Sequence, residues 1–527
     1  MPRAALAGSS FLPSPKSFTF MLLFPNKRII FNAISEVVAA IAVQNQNAPV
    51  SLPVPRPLLA SLSHCLCASV GLVSTSLTPS VYQILVDRGW RRYYLSSASS
   101  LVFLKVAGLR LMSVSRSGTH YYKPDNRHSC CPHYTIRLDA TAFNSRRDQR
   151  QAINRWNKYI LGQDYTHKAA RFCPKSREEK KRRKNKFDVY EAVHESEYRC
   201  VRRPIDTRTK TLIEPAHKFE VTLEPDDFTE EKYALFANYQ KNVHREGPSD
   251  ISKSGFKRFL CSGLPRSTHL YHGKEKRIGS YHQCYRLDGK LIALGVLDLL
   301  HHCVSSVYLI YHEDVNDWNF GKLSALREIS LALEGDYQYY YMGYYIHSCI
   351  KMRYKATFRP TYILDPQSHN WDPLDSDMMQ RLSARKWVSM AIERALKTSS
   401  NSLTGFLQSD RATTSNFGDE LNMGPSKFKL AVEYAIGQDR KRDSEGKEAT
   451  DCFHAGTPGA LSLEEVEEKI DLGQWKLKLG QRLVKLENLV GWDESETSDS
   501  SSIKGIAAEL AACIGPDLVQ KTALHFG

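Results

Sequence analysis

The stretch from residue 282 to 345 constrains this chain more than any other. His282–Leu287 and Lys290–Leu299 are runs of strand-forming residues on either side of Asp288-Gly289. An Asp-Gly dipeptide between two such runs predicts a two-residue hairpin turn, because that turn needs φ above zero at both central positions. Val304–Tyr311 predicts a third strand. Phe320–Glu334 carries Leu323, Leu326, Ile329 and Leu333 at helical spacing, which predicts an amphipathic helix. Gln338–Tyr344 predicts a fourth strand, dense in tyrosine.

Upstream, residues 218–224 predict a strand, 228–246 a helix, and Phe256–Leu260 part of another short helix. Strands, then a helix, then an aromatic strand is the order found in the centre of acetyltransferase-like (GNAT) folds. The expected class is therefore α+β: a GNAT-like mixed sheet with helices over residues 216–373. Ahead of it, residues 1–80 are rich in Ser, Pro, Ala and Leu without periodicity, and predict little structure. Residues 81–92 predict a short amphipathic helix ending near Gly89. Tyr134, Ile136 and Leu138 alternate with polar neighbours and predict a strand, and a helix is expected over 146–160. Residues 81–162 thus form a small cysteine-containing N-terminal domain. Residues 163–215 are a basic linker. Residues 374–527 are an accessory tail, with helices over 375–400 and 461–490.

Seventy-two Lys and Arg residues against 57 acids give a net charge of +15. That excess fits a polyanionic partner such as nucleic acid, although an ordinary basic enzyme carries it equally well. The run Arg177–Lys186 is a solvated helix or a phosphate contact. The 12 cysteines show no small secreted-domain spacing, which points to a reducing compartment. No apolar stretch reaches the roughly 20 residues of a membrane-spanning helix. Phe18 to Val43 is the nearest candidate, broken by Pro25-Asn26-Lys27-Arg28 and Ser35-Glu36. No GxxxxGK[ST] phosphate loop is present.

Two constellations carry chemistry. The vicinal pair Cys130-Cys131 can supply two thiolates to zinc or an iron–sulfur cluster, with two further ligands needed. Cys65 and Cys67 are candidates, in a C-x-C rather than a C-x-x-C. His64, His128, His133, Cys173 and Cys200 are others. The second constellation is the tyrosine run at 339–345 with His347, Lys355 and Arg359. Alternate strand residues face opposite sides, so half of these tyrosines must line something other than a dry core. Beside cations they suit base stacking and the pairing of phosphate or carboxylate.

DRGWRR (87–92), SGTHYYKP (117–124), CCPHYTIR (130–137), YHQCYRLDGKLIALGVLDLL (281–300), SSVYLIYHED (305–314) and YYYMGYYIHSCIKMRYKATFRP (339–360) together resemble the eukaryotic arginyl-tRNA–protein transferases. Around Leu489–Trp492 and Ala507–Ile514 the tail is similar to fungal-type members. The resemblance implies transfer of arginine from arginyl-tRNA to proteins with amino-terminal Asp, Glu or oxidised Cys. It also implies a link to ubiquitin-dependent degradation through the N-degron pathway, a cytoplasmic and nuclear location, and no nucleotide or coenzyme A. In the family a C-x-x-C and a C-C pair are associated with a metal or iron–sulfur site; Cys130 and Cys131 match the second half. Family members run directly from the WRR segment into the SGT segment, whereas residues 93–116 intervene here, as a retained intron or faulty gene model would produce.

An aminoacyl ester is already activated, so the reaction needs a neutral amine, oxyanion stabilisation and positioning rather than a nucleophilic side chain. Asp298 and Glu328 are candidates to bind the arginine guanidinium or to assist proton movement. His347 is a candidate for the reacting end. Tyr345, Lys355 and Arg359 are candidates for the acceptor or tRNA, and Arg91, Arg92 and Lys123 for tRNA or interdomain contacts. Two other readings remain open. A coenzyme-A-dependent acetyltransferase would carry a glycine-rich pyrophosphate turn where this chain has Trp318–Leu323. A non-catalytic tRNA-binding adaptor would need only the charge.

Overall fold

The computed structural model describes residues 22–23, 69–73, 77–94, 115–271, 273–397, 453, 456–479, 482–500 and 502–524. Cys65, Cys67, His64, most of the 18–43 stretch and most of the 93–116 insert lie outside them.

Nine strands form the main sheet: β5 (Tyr134–Asp139), β6 (Phe219–Pro225), β7 (Ser267–Tyr271), β8 (Lys274–Leu287), β9 (Lys290–Leu299), β10 (Cys303–Tyr311), β11 (Tyr339–Tyr345), β12 (Thr361–Leu364) and β13 (Trp371–Pro373). Their order is β13-β12-β5-β11-β10-β9-β8-β6, with β7 paired to β8. The β8–β9 turn forms as expected, with Asp288 at φ 50° and Gly289 at φ 84°. All pairs are antiparallel except β10–β11. A parallel pair needs a crossover, and the helix Phe320–Glu334 supplies it. The parallel register covers only Cys303–Ser305 against Tyr339–Tyr341. Beyond it, irregularities fall between Ser306 and Tyr308 on β10 and between Tyr341 and Tyr344 on β11.

Helix Phe320–Glu334 is buried on most of its circumference because helices Arg147–Leu161 and Val189–His194 cover the side away from the sheet. Leu333, expected in its apolar stripe, is instead 38% exposed. Trp156 locks this layer through edge contacts to Phe219, Trp318 and Phe320. The opposite face of the sheet is covered at one end by helices Glu230–Tyr239 and Lys253–Leu260. At the other end a second module covers it.

That module joins distant parts of the chain. β1 (Leu22–Leu23), β2 (Ser69–Val73), β4 (Ser115–Pro124) and β3 (Arg91–Tyr94) make a small antiparallel sheet in that order. β2 falls in the stretch read as poorly structured. Arg91 and Arg92, read as the end of a helix, lie on β3, since the helix stops at Asp87. Val81, Leu85 and Trp90 share one apolar core with Trp475, Leu486, Leu510 and Leu518 of the tail. Residues 461–490, read as helical, form one short helix at Leu463–Lys469 and then β14 (Lys476–Leu479) and β15 (Arg482–Lys485), with β16 (Ala523–Leu524) alongside. Described residues of the tail from Val466 to Leu524 therefore belong to the core of this module.

The expected domain division is crossed in two more places. β5, from the N-terminal segment, lies inside the main sheet between β11 and β12. The 163–215 stretch, read as a linker, folds as helices Gln163–Phe172, Arg177–Asn185 and Val189–His194. The basic run itself buries no residue.

Candidate functional site

Alternation along β11 sends its tyrosines to opposite sides, and both sides are covered. Tyr340 donates its hydroxyl to Glu328 Oε2 at 2.7 Å on the helix side. Tyr341 donates to Asp87 Oδ1 at 2.6 Å on the module side. After the bulge, Tyr344 donates to the Gly89 carbonyl at 3.0 Å. Tyr345 is buried and its hydroxyl lies 2.9 Å from His347 Nδ1. Tyr339 packs its ring under the Arg137 guanidinium, 3.8 Å away. The four buried rings thus pack and bond within the protein, and the face expected to be open for base stacking is occupied by the N-terminal module.

Glu328, a candidate to touch substrate, is fully buried in the middle of helix Phe320–Glu334. Its Oε1 makes no hydrogen bond to a described residue. Burial pushes the carboxyl up to about 7, against hydrogen bonds from Tyr340 and Ser306 and the charge of Lys355.

Asp298 and Arg92, expected in separate roles, face each other. Arg92 Nη2 lies 2.5 Å from Asp298 Oδ1, with both side chains almost fully buried. Ser280 donates to the same carboxylate oxygen at 2.5 Å. This pair ties β3 to β9, so Asp298 already holds a guanidinium from its own chain. Arg91 is also buried, donating to the Val86 and Trp90 carbonyls, with its guanidinium 5.2 Å from the Tyr344 ring centre. Lys123 is buried against His369 Nε2 at 2.7 Å. Burial, helped by the charge of Arg88, brings its ammonium down to about 8. Lys355 donates to the Met342 and Tyr344 carbonyls at 2.8 and 2.9 Å, pinning the β11 bulge. Arg359 is exposed; its carbonyl accepts from Asn144 N at 2.9 Å.

An open surface exists at the end of β11. A groove of about 330 Å³ is lined by Cys130, Pro132, Tyr134, His347, Arg353 and Lys386 among others. A neighbouring cavity of about 520 Å³ shares His347, Arg353 and Ser383. His347 is partly exposed, with Nε2 2.8 Å from Ser383 Oγ. Burial and the Arg353 charge lower its basicity. Arg353 donates through Nε to the His347 carbonyl at 3.2 Å. Arg385 also lines the groove, so three cations and a neutral-leaning imidazole share one recess. Of the residues read from sequence, Cys130 and His347 meet here, with Tyr345 directly below. Arg353, Ser383 and Lys386 were missed. Arg353 stands inside the KMRYK run at 351–355, whereas nothing in the sequence marks Ser383 or Lys386.

Cys130 and Cys131 form no disulfide; one is exposed and the other half-buried. Among the described residues no third donor joins them in a metal-sized group, and His128 is held by Asp125 at 2.7 Å. The described residues alone therefore do not make a metal or cluster site at this pair. No helix among them is long and apolar enough to cross a membrane.

Two family models match this chain: "Arginine-tRNA-protein transferase, N terminus" over residues 108–151 and "Arginine-tRNA-protein transferase, C terminus" over residues 231–365. Both matched segments are thus similar to parts of arginine-tRNA-protein transferases. More particularly, the chain is similar to arginyl-tRNA–protein transferases of several eukaryotes. It is 33% identical to arginyl-tRNA–protein transferase 1 of Saccharomyces cerevisiae over 291 residues, 51% of each chain. It is 42% identical to that of Arabidopsis thaliana over 167 residues, 30% of this chain and 26% of the other. An aspartate/glutamate leucyltransferase of Stutzerimonas stutzeri is 35% identical over 138 residues, 26% of this chain and 53% of the other. The chain thus spans about half or less of the length of these relatives.

Proposed function

We propose that this protein transfers arginine from arginyl-tRNA to the α-amino group of proteins that begin with Asp, Glu or oxidised Cys. The observation that carries this reading is the make-up of the basic groove. Cys130, Pro132 and Tyr134 come from the N-terminal matched segment, and His347, Ser348 and Arg353 come from the C-terminal one. Neither segment alone builds the recess.

The acceptor amine attacks the ester carbonyl, the amide bond forms, and the ester bond to the terminal ribose breaks and releases the tRNA hydroxyl. His347, whose basicity is lowered by burial and by Arg353, is the imidazole lining the groove and is placed to receive the proton the amine gives up. Arg353, Arg385 and Lys386 supply positive charge for the acceptor's acidic side chain or the tRNA phosphates. Glu328 acts from below the surface, holding Tyr340 and the start of β11. Asp298 and Arg92 position the N-terminal module on the sheet. The product, a protein with amino-terminal arginine, is a substrate for ubiquitin ligases of the N-degron pathway in cytoplasm and nucleus.

The test is transfer of labelled arginine from charged tRNA to a peptide beginning with Asp, beside one beginning with Ala. Label on the first peptide alone is expected. Label on neither, or acetyl transfer from acetyl-coenzyme A instead, would overturn the reading.

A further inference from the structure

The turn after helix Val189–His194 brings together three donor types at three-residue spacing. His194, Glu197 and Cys200 place one ligand atom each within 4.8 Å of the others. His194 and Glu197 are buried, and Cys200 is an exposed free thiol. The far side of each buried ligand is already held. His194 Nε2 sits 3.0 Å from Glu334 Oε1, and Glu197 Oε1 takes Arg327 Nε at 2.9 Å. On the near side the buried His194 Nδ1 stands 3.0 Å from Glu197 Oε2, an ion pair while the ring carries both protons. When Nε2 keeps its proton toward Glu334 and Nδ1 gives its own up, a nitrogen lone pair faces a carboxylate lone pair, and a metal ion can take the place of the lost proton. Arg199 approaches the same oxygen at 3.1 Å, but its side chain is 63% exposed and can swing away.

We propose that His194, Glu197 and Cys200 form a binding site for a borderline divalent cation of the zinc class, separate from the Cys130-Cys131 pair. One nitrogen, one oxygen and one sulfur donor suit zinc. A carboxylate on the outer nitrogen of a ligating histidine orients it for the metal, and Glu334 stands in that place. Tetrahedral bonds of about 2.0–2.3 Å set donor separations near 3.4 Å. The exposed Cys200 side chain supplies the small inward movement this requires. Three protein ligands leave the fourth position to water. Both Arg327 and Glu334 belong to helix Phe320–Glu334, so the ion would fasten the 163–215 stretch to the helix that crosses the main sheet. The inference does not depend on arginyl transfer.

The experiment uses the full chain with Cys65, Cys67, Cys130 and Cys131 changed to Ser, stripped of metal and titrated with zinc against a chromophoric chelator. One zinc per chain is expected, with affinity falling at least about ten-fold in Cys200→Ser and in His194→Gln. Cobalt in place of zinc should give a thiolate charge-transfer band that is lost in Cys200→Ser. Cys200 is exposed, so that variant should fold normally. Zinc should raise the melting temperature of its parent and leave that of Cys200→Ser unmoved. No uptake, or uptake that Cys200→Ser leaves unchanged, would overturn the proposal and leave an imidazolium between two carboxylates as the whole content of the cluster.

Discussion

Replacing Glu328 with glutamine should change how the stability of this protein depends on pH. The Glu328 carboxyl is fully buried, and burial raises it from an ordinary 4.5 to about 7. Between those values the folded chain keeps the proton that the unfolded chain has lost. Stability from this group is therefore complete below 4.5, falls as pH rises through about 7, and levels above it. The two titration points give a loss of roughly 2–3 kcal/mol between pH 5 and pH 8. Glutamine has the same shape, can still accept from Tyr340, and carries no charge to desolvate. Its amide leaves a buried donor that costs about the same at every pH. The other titrating groups are common to both proteins and cancel in the difference. Urea unfolding of both proteins, followed by tryptophan fluorescence at pH 5, 6, 7 and 8, measures it. The stability of Glu328→Gln relative to its parent should climb by that amount across the series. A difference that stays flat, or that moves toward the parent as pH rises, would refute the buried, proton-retaining carboxyl.

Arg92→Ala leaves Asp298 charged and unpaired in the interior and should cost about 3–5 kcal/mol in a denaturation experiment; Arg92→Met with Asp298→Leu should recover much of it. Changing Arg353, Arg385 and Lys386 together to Ala should weaken tRNA binding. It should also flatten the plot of log affinity against log salt by roughly 0.7–0.9 for each phosphate left without its cation, as read by filter binding over a salt series. Tyr94 and Ser115 are paired across β3 and β4, so a two-residue turn can stand in for residues 95–114. Replacing them with Asn-Gly should leave the melting temperature within a few degrees of the parent, and loss of a cooperative transition would show that they belong to the fold.

What could be read from the sequence was local. The Asp288-Gly289 turn, the four strands and crossover helix of 282–345 and the helix over 146–160 follow from φ preferences and apolar spacing, which act within a few residues. The apolar spacing of Phe320–Glu334 also gave its limits, because a helix packed on a sheet advertises its buried stripe. The same reasoning misplaced Leu333, and it missed the strands at 476–485, where short alternating runs of Lys and Leu fit either period. It also read 163–215 as a linker, because charge density says nothing about His194, Glu197 and Arg327 meeting across 130 residues of chain.

The sequence alone determined the resemblance to the arginyl-tRNA–protein transferases, since that rests on strings of residues, and it determined the strand–helix–strand order at the centre of the main sheet. Only the tertiary structure decided where charge is neutralised and where it is left open. Asp298 and Arg92 looked like two binding residues and are one buried ion pair. Glu328 looked like an acid for the guanidinium or for proton movement and is a desolvated carboxyl under Tyr340. Lys355 looked like a ligand cation and braces two carbonyls of β11. The physical reason is that desolvation and pairing are properties of a side chain's surroundings. Those surroundings come from segments such as β5, β3 and the tail, which are brought together only when the chain folds.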